Sequence, residues 1–328
     1  MESRNRTLWV VILIFGALLV ACCCLAAALA AATGLVVLPA GERGERGVIE
    51  RAEQVPVESA QFEQIVAVGD EPAIEIVNFA GNVDVVTGPP GEVHVRATRD
   101  APGAPRLSDV QVLISEESGV LRIVTRRPAA LMSAQVRIEL AVPEHARLVV
   151  DLGAGDVSVA GVRGGVDVET GAGTVAVQAL AGGVDLFTGS GQISARDVSG
   201  SLEVETGAGT IVIEAVDGAV DAHTGTGTIT VQGAAGPIRL DSGAGTLEYE
   251  GAPEGECRFT TGMGAIVLRL PAGLNAQVDL STGMGEVSVD RPVDGDISRN
   301  EVRGSVGTGQ GASIYAETGN GDVSVQTY

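Results

Sequence analysis

The stretch TGAGTIVIEAVDGAVDAHTGTGTITV, residues 206–231, states one short phrase twice: a Thr, a Gly-x-Gly, then alternating small and β-branched residues. Such glycines have two physical readings. They present backbone N–H groups to a phosphate at the start of a helix, or they turn the chain where a Cβ would collide. The element next in the chain decides between them, and here it is a β-branched strand each time. The phrase also recurs, as LGAGDVSV at 152, TGAGTVAV at 170, TGSGQISA at 188 and SGAGTLEY at 242. Its first Gly falls at 153, 171, 189, 207, 225 and 243, a spacing of 18, and variants continue at 261, 282, 308 and 318. A fixed period of this kind marks a solenoid, in which each repeat buries its apolar face only against its neighbours. The glycines are therefore corners.

Each period holds two strand-like pieces, for example GVDVET at 165–170 and TVAVQ at 174–178. Alternation sends Val166, Val168, Val175 and Val177 inward, with Val184, Leu186, Ile193 and Ala195 as their counterparts in the next coil. The same columns continue through Leu202, Val204, Ile211 and Ile213, then Val220, Ala222, Ile229 and Val231. A third inward position recurs at Val162, Leu180, Val198 and Val216. Residues 60–150 alternate less regularly and read as further coils of the same body. Val142-Pro143 and Leu270-Pro271 open two similar passages, so the late coils reuse the design of the early ones. The predicted fold class is all-β, a parallel β-helix of 18-residue coils, right-handed by the rule for parallel crossovers.

Ahead of this body the sequence predicts a cytoplasmic N-terminus at 1–7, a transmembrane anchor at 8–38 and a linker at 39–58, with the β-solenoid domain at 59–328. Leu8 to Leu38 carries no charge and is long enough as a helix to cross a bilayer with length to spare. Arg4 and Arg6 precede it, so the positive-inside rule places the remainder outside a cell membrane, as a single-pass protein with its C-terminal domain extracytoplasmic. Leu19-Val20-Ala21-Cys22 also fits a lipobox, in which Cys22 would be lipidated. A cleaved secretory signal is a third alternative. All three export the domain.

The sequence has 42 acidic against 21 basic residues, all of them Arg, for a net charge of −21. Such a field repels nucleic acid and anionic headgroups. His94, His145 and His223 have no His or Cys nearby in sequence, and Cys257 stands alone in the exported part, so no zinc or nucleophile pattern emerges. The most distinctive outward feature is a ladder of Asp167, Asp185, Glu203 and Asp221, ended by Arg239. Neighbouring rungs would repel, a cost that a bound divalent cation such as Ca2+ would relieve. A solvated acidic face satisfies the same residues, and the repeat lacks the Asp spacing of calcium solenoids. Two segments break the repeat, APEGECR at 252–258 and DRPVDGDISRNEVRG at 290–304, and these are where a polysaccharide-acting β-helix enzyme would build a cleft.

The order of IVNFAGNVDVVTG, the bridge VRIELAVPEHARLVVDLGAGDVSV, the 18-residue coils and a terminal ETGNGDVSVQTY resembles the bacterial DUF4097 family of adhesin-like proteins, over residues 60–328. That resemblance implies an exported, membrane-tethered β-solenoid and supplies no catalytic residues. The expected function is a membrane-anchored binding or structural module at the cell surface, without catalysis, with a surface protein or polysaccharide as ligand. Open end coils would also permit self-association by strand addition. The alternatives are the polysaccharide-acting enzyme and an accessory role in envelope-stress sensing.

Overall fold

A period of two along each strand and of 18 along the chain should stack strands in register with one face buried. The computed structural model describes residues 57–102 and 107–328, and its 27 regular elements are all β-strands. The expected helix at 8–38 and Cys22 lie outside the described residues. Val166–Ala172 runs parallel between Arg147–Leu152 and Val184–Ser190. Val175–Ala181 runs parallel between Val157–Ala160 and Ile193–Ser199. Each coil thus gives one strand to a 14-stranded sheet and one to a 13-stranded sheet. The aliphatic columns lie between the two sheets, and the residues expected inward in the four coils from Val166 to Val231 are at most 3% exposed.

The third inward position is reached by a local kink. Gln178 and Ala179 both face outward before Leu180 turns in. Ala179, Asp197 and Ala215 sit at φ of 54°, 53° and 56°, one per coil, with Gly161 and Gly233 in the same place at 78° and 71°. The corner glycines answer a steric demand. A Cβ on Gly189 would lie 2.5 Å from the carbonyl oxygen of Gly171, and one on Gly191, at φ 143°, would overlap the carbonyl oxygen of Gly173. Backbone stacks directly on backbone there, so no side chain fits.

The residue before each corner forms a column that sequence reasoning left without a role. Thr170, Thr188, Thr206, Thr224, Ser242, Thr261, Thr318 and Thr282 are all buried. Most of these hydroxyls donate to the carbonyl of the second corner glycine in the coil below, from 2.7 Å for Thr282 to Gly321 up to 3.5 Å for Thr224 to Gly209. At the end of the column Asn78 takes over, donating to the Val136 carbonyl at 2.8 Å and accepting from Thr125 at 2.7 Å.

Both ends depart from a simple succession of coils, and they do so alike. The first coil of the chain, Ala73–Asn78 with Val83–Thr87, lies between the coil of Val120–Arg126 and Gln135–Val142 and that of Arg147–Leu152 and Val157–Ala160. The last, Ala312–Asn320 with Val323–Thr327, lies between Glu256–Met263 with Ile266–Leu270 and Ala276–Met284 with Val287–Val289. Two connections must therefore step over an intercalated coil, and these are the two proline passages. Pro143 accepts from Ala146 and Pro271 from Leu274, each at 3.0 Å, so both steps use one turn. Antiparallel strands then close the ends: Val57–Ala67 on Glu92–Pro102, Gln111–Glu117 on Val120–Arg126, and Val293–Ile297 on Glu301–Val306. The mixed-charge segment 290–304 is largely part of that last hairpin rather than an irregular loop, and Val302 is buried beneath it. The other break in the repeat, 252–258, adjoins the pair Tyr249 and Phe259, whose ring centroids are 5.6 Å apart in the core.

Candidate functional site

In-register parallel strands turn one outward position into a line of side chains about 4.8 Å apart. The expected ladder is in place, with Asp167 beside Asp185, then Glu203, then Asp221. At that spacing each neighbouring pair of like charges costs about 1 kcal/mol in water. The line continues as Arg239, Arg258, Tyr315, Asp279 and Arg303. Two residues along each strand runs a second line, including Glu169, Phe187, Glu205, His223 and Asp241. One half of this face is thus acidic, and its first line turns basic at Arg239. Among the described residues no three Asp, Glu, His or Cys side chains converge as metal ligands do. The carboxylates line up along the sheet instead of surrounding a point.

Where the charge changes sign, the partners are specific. His223 Nε2 lies 2.6 Å from Asp221 Oδ1. Arg258 lies over the Tyr315 ring, 4.3 Å from its centroid, and is 3.9 Å from Glu256. The Tyr315 hydroxyl donates to Glu317, which raises its pKa. Arg303 meets both Asp279 and Glu301 at 3.0 Å. A shallow groove of about 380 Å³ runs beside Glu203, Asp221, Pro237, Arg239, Glu256 and Arg258.

A second concavity, about 570 Å³, lies on the opposite sheet near the start of the domain. Two rows cross its strands: Glu63, Arg96, Glu139 and Asp84 in one, and Ile65, His94, Ala141 and Val86 in the other. Arg96 binds Glu63 at 2.8 Å and Glu139 at 3.3 Å, and His94 meets Glu92 at 2.9 Å. Burial, and after it the neighbouring Glu139, raises the Asp84 carboxyl above its ordinary range. Ile65 and Val86 remain 61% and 51% exposed beside it. Alternation in EVHVRAT and NVDVVTG points these side chains outward, but only the strand order at the end of the stack brings them together. His145 lies on an exposed turn and joins neither site, and Cys257 is buried, with its thiol pushed up to about 11. Among the described residues no helix is long and apolar enough to cross a membrane.

No curated protein matches the chain. Among solved structures, a putative cell adhesion protein from Clostridium sporogenes is 9% identical, with 82% of this chain and 100% of that one covered at a TM-score of 0.28. A putative adhesin from Parabacteroides merdae is 12% identical, covering 81% and 95% at 0.30. A putative lipid binding protein from Parabacteroides distasonis is 13% identical, covering 80% and 96% at 0.28. Likenesses this distant decide neither fold nor function, which rest on the chain's own strands and side chains. The family described as Toastrack DUF4097 matches residues 73–326, from the intercalated first coil to the intercalated last one, and the chain belongs to that family.

Proposed function

We propose that the protein is an extracytoplasmic, membrane-anchored β-solenoid, coiled to the right, that serves as an adhesin-like binding or structural module and carries out no catalysis. The observation that supports this reading most is the outward face of the 14-stranded sheet, where charge is sorted along in-register lines from Asp167 to Arg303. A sheet bonded along its whole length holds such lines rigidly, which suits recognition of an extended polymer or a surface. The N-terminal sequence supplies the tether, as the apolar run 8–38 or as a lipid on Cys22. The test is protease treatment of intact cells, with fractionation of a Cys22→Ala variant. Cleavage of the 43–328 region on intact cells is expected, and cleavage only after lysis would contradict the reading. Release of the Cys22→Ala protein from the membrane would identify the lipid anchor, and its retention the spanning helix.

The concavity at Asp84 favours a second reading, a carbohydrate-acting enzyme. Acid catalysis on glycosides uses two carboxyl groups, one with raised proton affinity, and Asp84 beside Glu139 has that character. Incubation with bacterial polysaccharides and assay of new reducing ends separates the two. Activity lost in Asp84→Asn would establish the enzyme.

A further inference from the structure

We infer that Arg239 and Arg258 form a recognition site for the carboxylate of an acidic sugar, a uronate ring within an otherwise neutral glycan; this rests on the binding-module reading above. The two guanidinium groups occupy adjacent rungs of parallel strands in register. On a chain with twice as many acids as bases, two arginines on adjacent rungs concentrate positive charge, whereas two further arginines of this face are each held by an acid. Arg122 meets Glu75 at 2.6 Å and Arg303 meets Asp279 at 3.0 Å. Arg239 makes no ion pair with any described residue, and the Oδ1 of its neighbour Asp221 lies 2.6 Å from His223 Nε2. Arg258 stands 3.9 Å from Glu256, beyond hydrogen-bond distance. Its guanidinium carbon lies 4.3 Å from the centre of the Tyr315 ring, and the side chain lines the groove.

Two guanidinium groups on adjacent rungs match a carboxylate, which takes paired N–H donors from a planar fork. The remaining walls select the rest of the ligand. Glu203, Asp221 and Glu256 accept hydrogen bonds from hydroxyl groups, and the Pro237 ring offers an apolar patch to the face of a sugar. An acidic peptide or a polyuronate would bring successive negative charges against Asp185 and Glu203. One uronate flanked by neutral rings brings a single charge to the arginines and hydroxyl donors to the carboxylates. The groove, at about 380 Å³, holds a ring or two.

The test uses the full chain in detergent, immobilised, at low salt. The probes are an oligosaccharide alternating glucuronate with N-acetylglucosamine, its carboxyl-reduced neutral form and a hepta-glutamate peptide. Saturable binding of the acidic sugar is expected, at least tenfold weaker for the reduced form, for the peptide, and for Arg239→Gln or Arg258→Gln variants with unchanged melting. Equal binding of acidic and reduced sugars, equal binding of the peptide, variants that bind like the parent, or no binding would each overturn the site. Retention of the parent chain on whole bacterial polysaccharide, measured in parallel, separates the two levels. If parent and variants are retained equally, the module reading stands and the uronate site falls. If none is retained, both fall.

Discussion

Gly191→Ala puts the stacked-corner account under the most strain. Gly191 has φ 143°, and an added methyl would overlap the carbonyl oxygen of Gly173 one coil below. A non-glycine residue in this part of backbone space costs about 1–3 kcal/mol. Moving the coils apart to admit the methyl also strains the stacking bonds from Gly191 N–H to Ala208 C=O and from Gly173 N–H to Ser190 C=O, both 3.0 Å. Each is worth about 1 kcal/mol. The expected loss is about 3–5 kcal/mol, or a fall in Tm on the order of 10 °C for a domain of this size. Gly183→Ala is the control, because its nearest neighbour would be Ser201 Oγ at 3.7 Å with no positive φ, and it should change stability by less than about 0.5 kcal/mol. Urea unfolding by far-UV circular dichroism compares the two, and amide exchange around residues 173–208 shows whether the damage is local to the corner. A Gly191→Ala protein as stable as Gly183→Ala would refute the steric account.

Ala215→Gly should act in the opposite direction. A left-handed alanine costs about 1–2 kcal/mol and a glycine's extra unfolded-state entropy offsets about 0.5–1 of that, so a net gain of up to about 1.5 kcal/mol is expected in the same urea assay. In the buried hydroxyl column, Thr282→Val should cost about 1–2 kcal/mol because it strands the Gly321 carbonyl. Thr206→Val, whose hydroxyl has no partner, should be neutral or stabilising, and identical losses from both would show that the column's hydrogen bonds are immaterial. Burial lifts the Cys257 thiol from 9.0 to about 11, so the fold favours its neutral form. That contribution is complete below about pH 9 and is lost as pH rises to about 11, a drop of about 2–3 kcal/mol. Cys257→Ala should remove the early part of the alkaline decline and leave the later part due to Tyr249, whose pKa burial raises further; an unchanged decline would assign it elsewhere.

The repeating middle of the domain could be read from residues because its information is local and periodic. Val168, Leu186, Val204 and Ala222 are spaced by 18, and nothing but stacking satisfies that spacing. The two ends could not be read this way. That Ala73–Asn78 lies between two later segments, and Ala312–Asn320 between two earlier ones, depends on pairing across long separations to which alternation is blind. Only the resemblance of Val142-Pro143 to Leu270-Pro271 hinted at a shared device, now seen as the step over an inserted coil. Physically, an unprotected last coil exposes both an aliphatic layer and a strand edge, and intercalated and antiparallel strands cover them. The same division holds for the sites. The ladder from Asp167 to Arg239 follows from the period, because register makes it inevitable. Arg258 and Tyr315 join it from across the irregular end, and Asp84, His94 and Glu139 meet only through the strand order of the first cap. Thr-Gly-x-Gly did carry a signal for the buried hydroxyl column: a hydroxyl recurs before most corners, and six of these reach a glycine carbonyl of the adjacent coil.

Binding without turnover is best tested by one paired measurement on the full chain with bacterial surface polysaccharide, following retention and new reducing ends in the same sample. The account predicts saturable retention with no reducing ends above those of the polysaccharide alone. Reducing ends that accumulate in proportion to protein and time, or polysaccharide that is never retained, would contradict it.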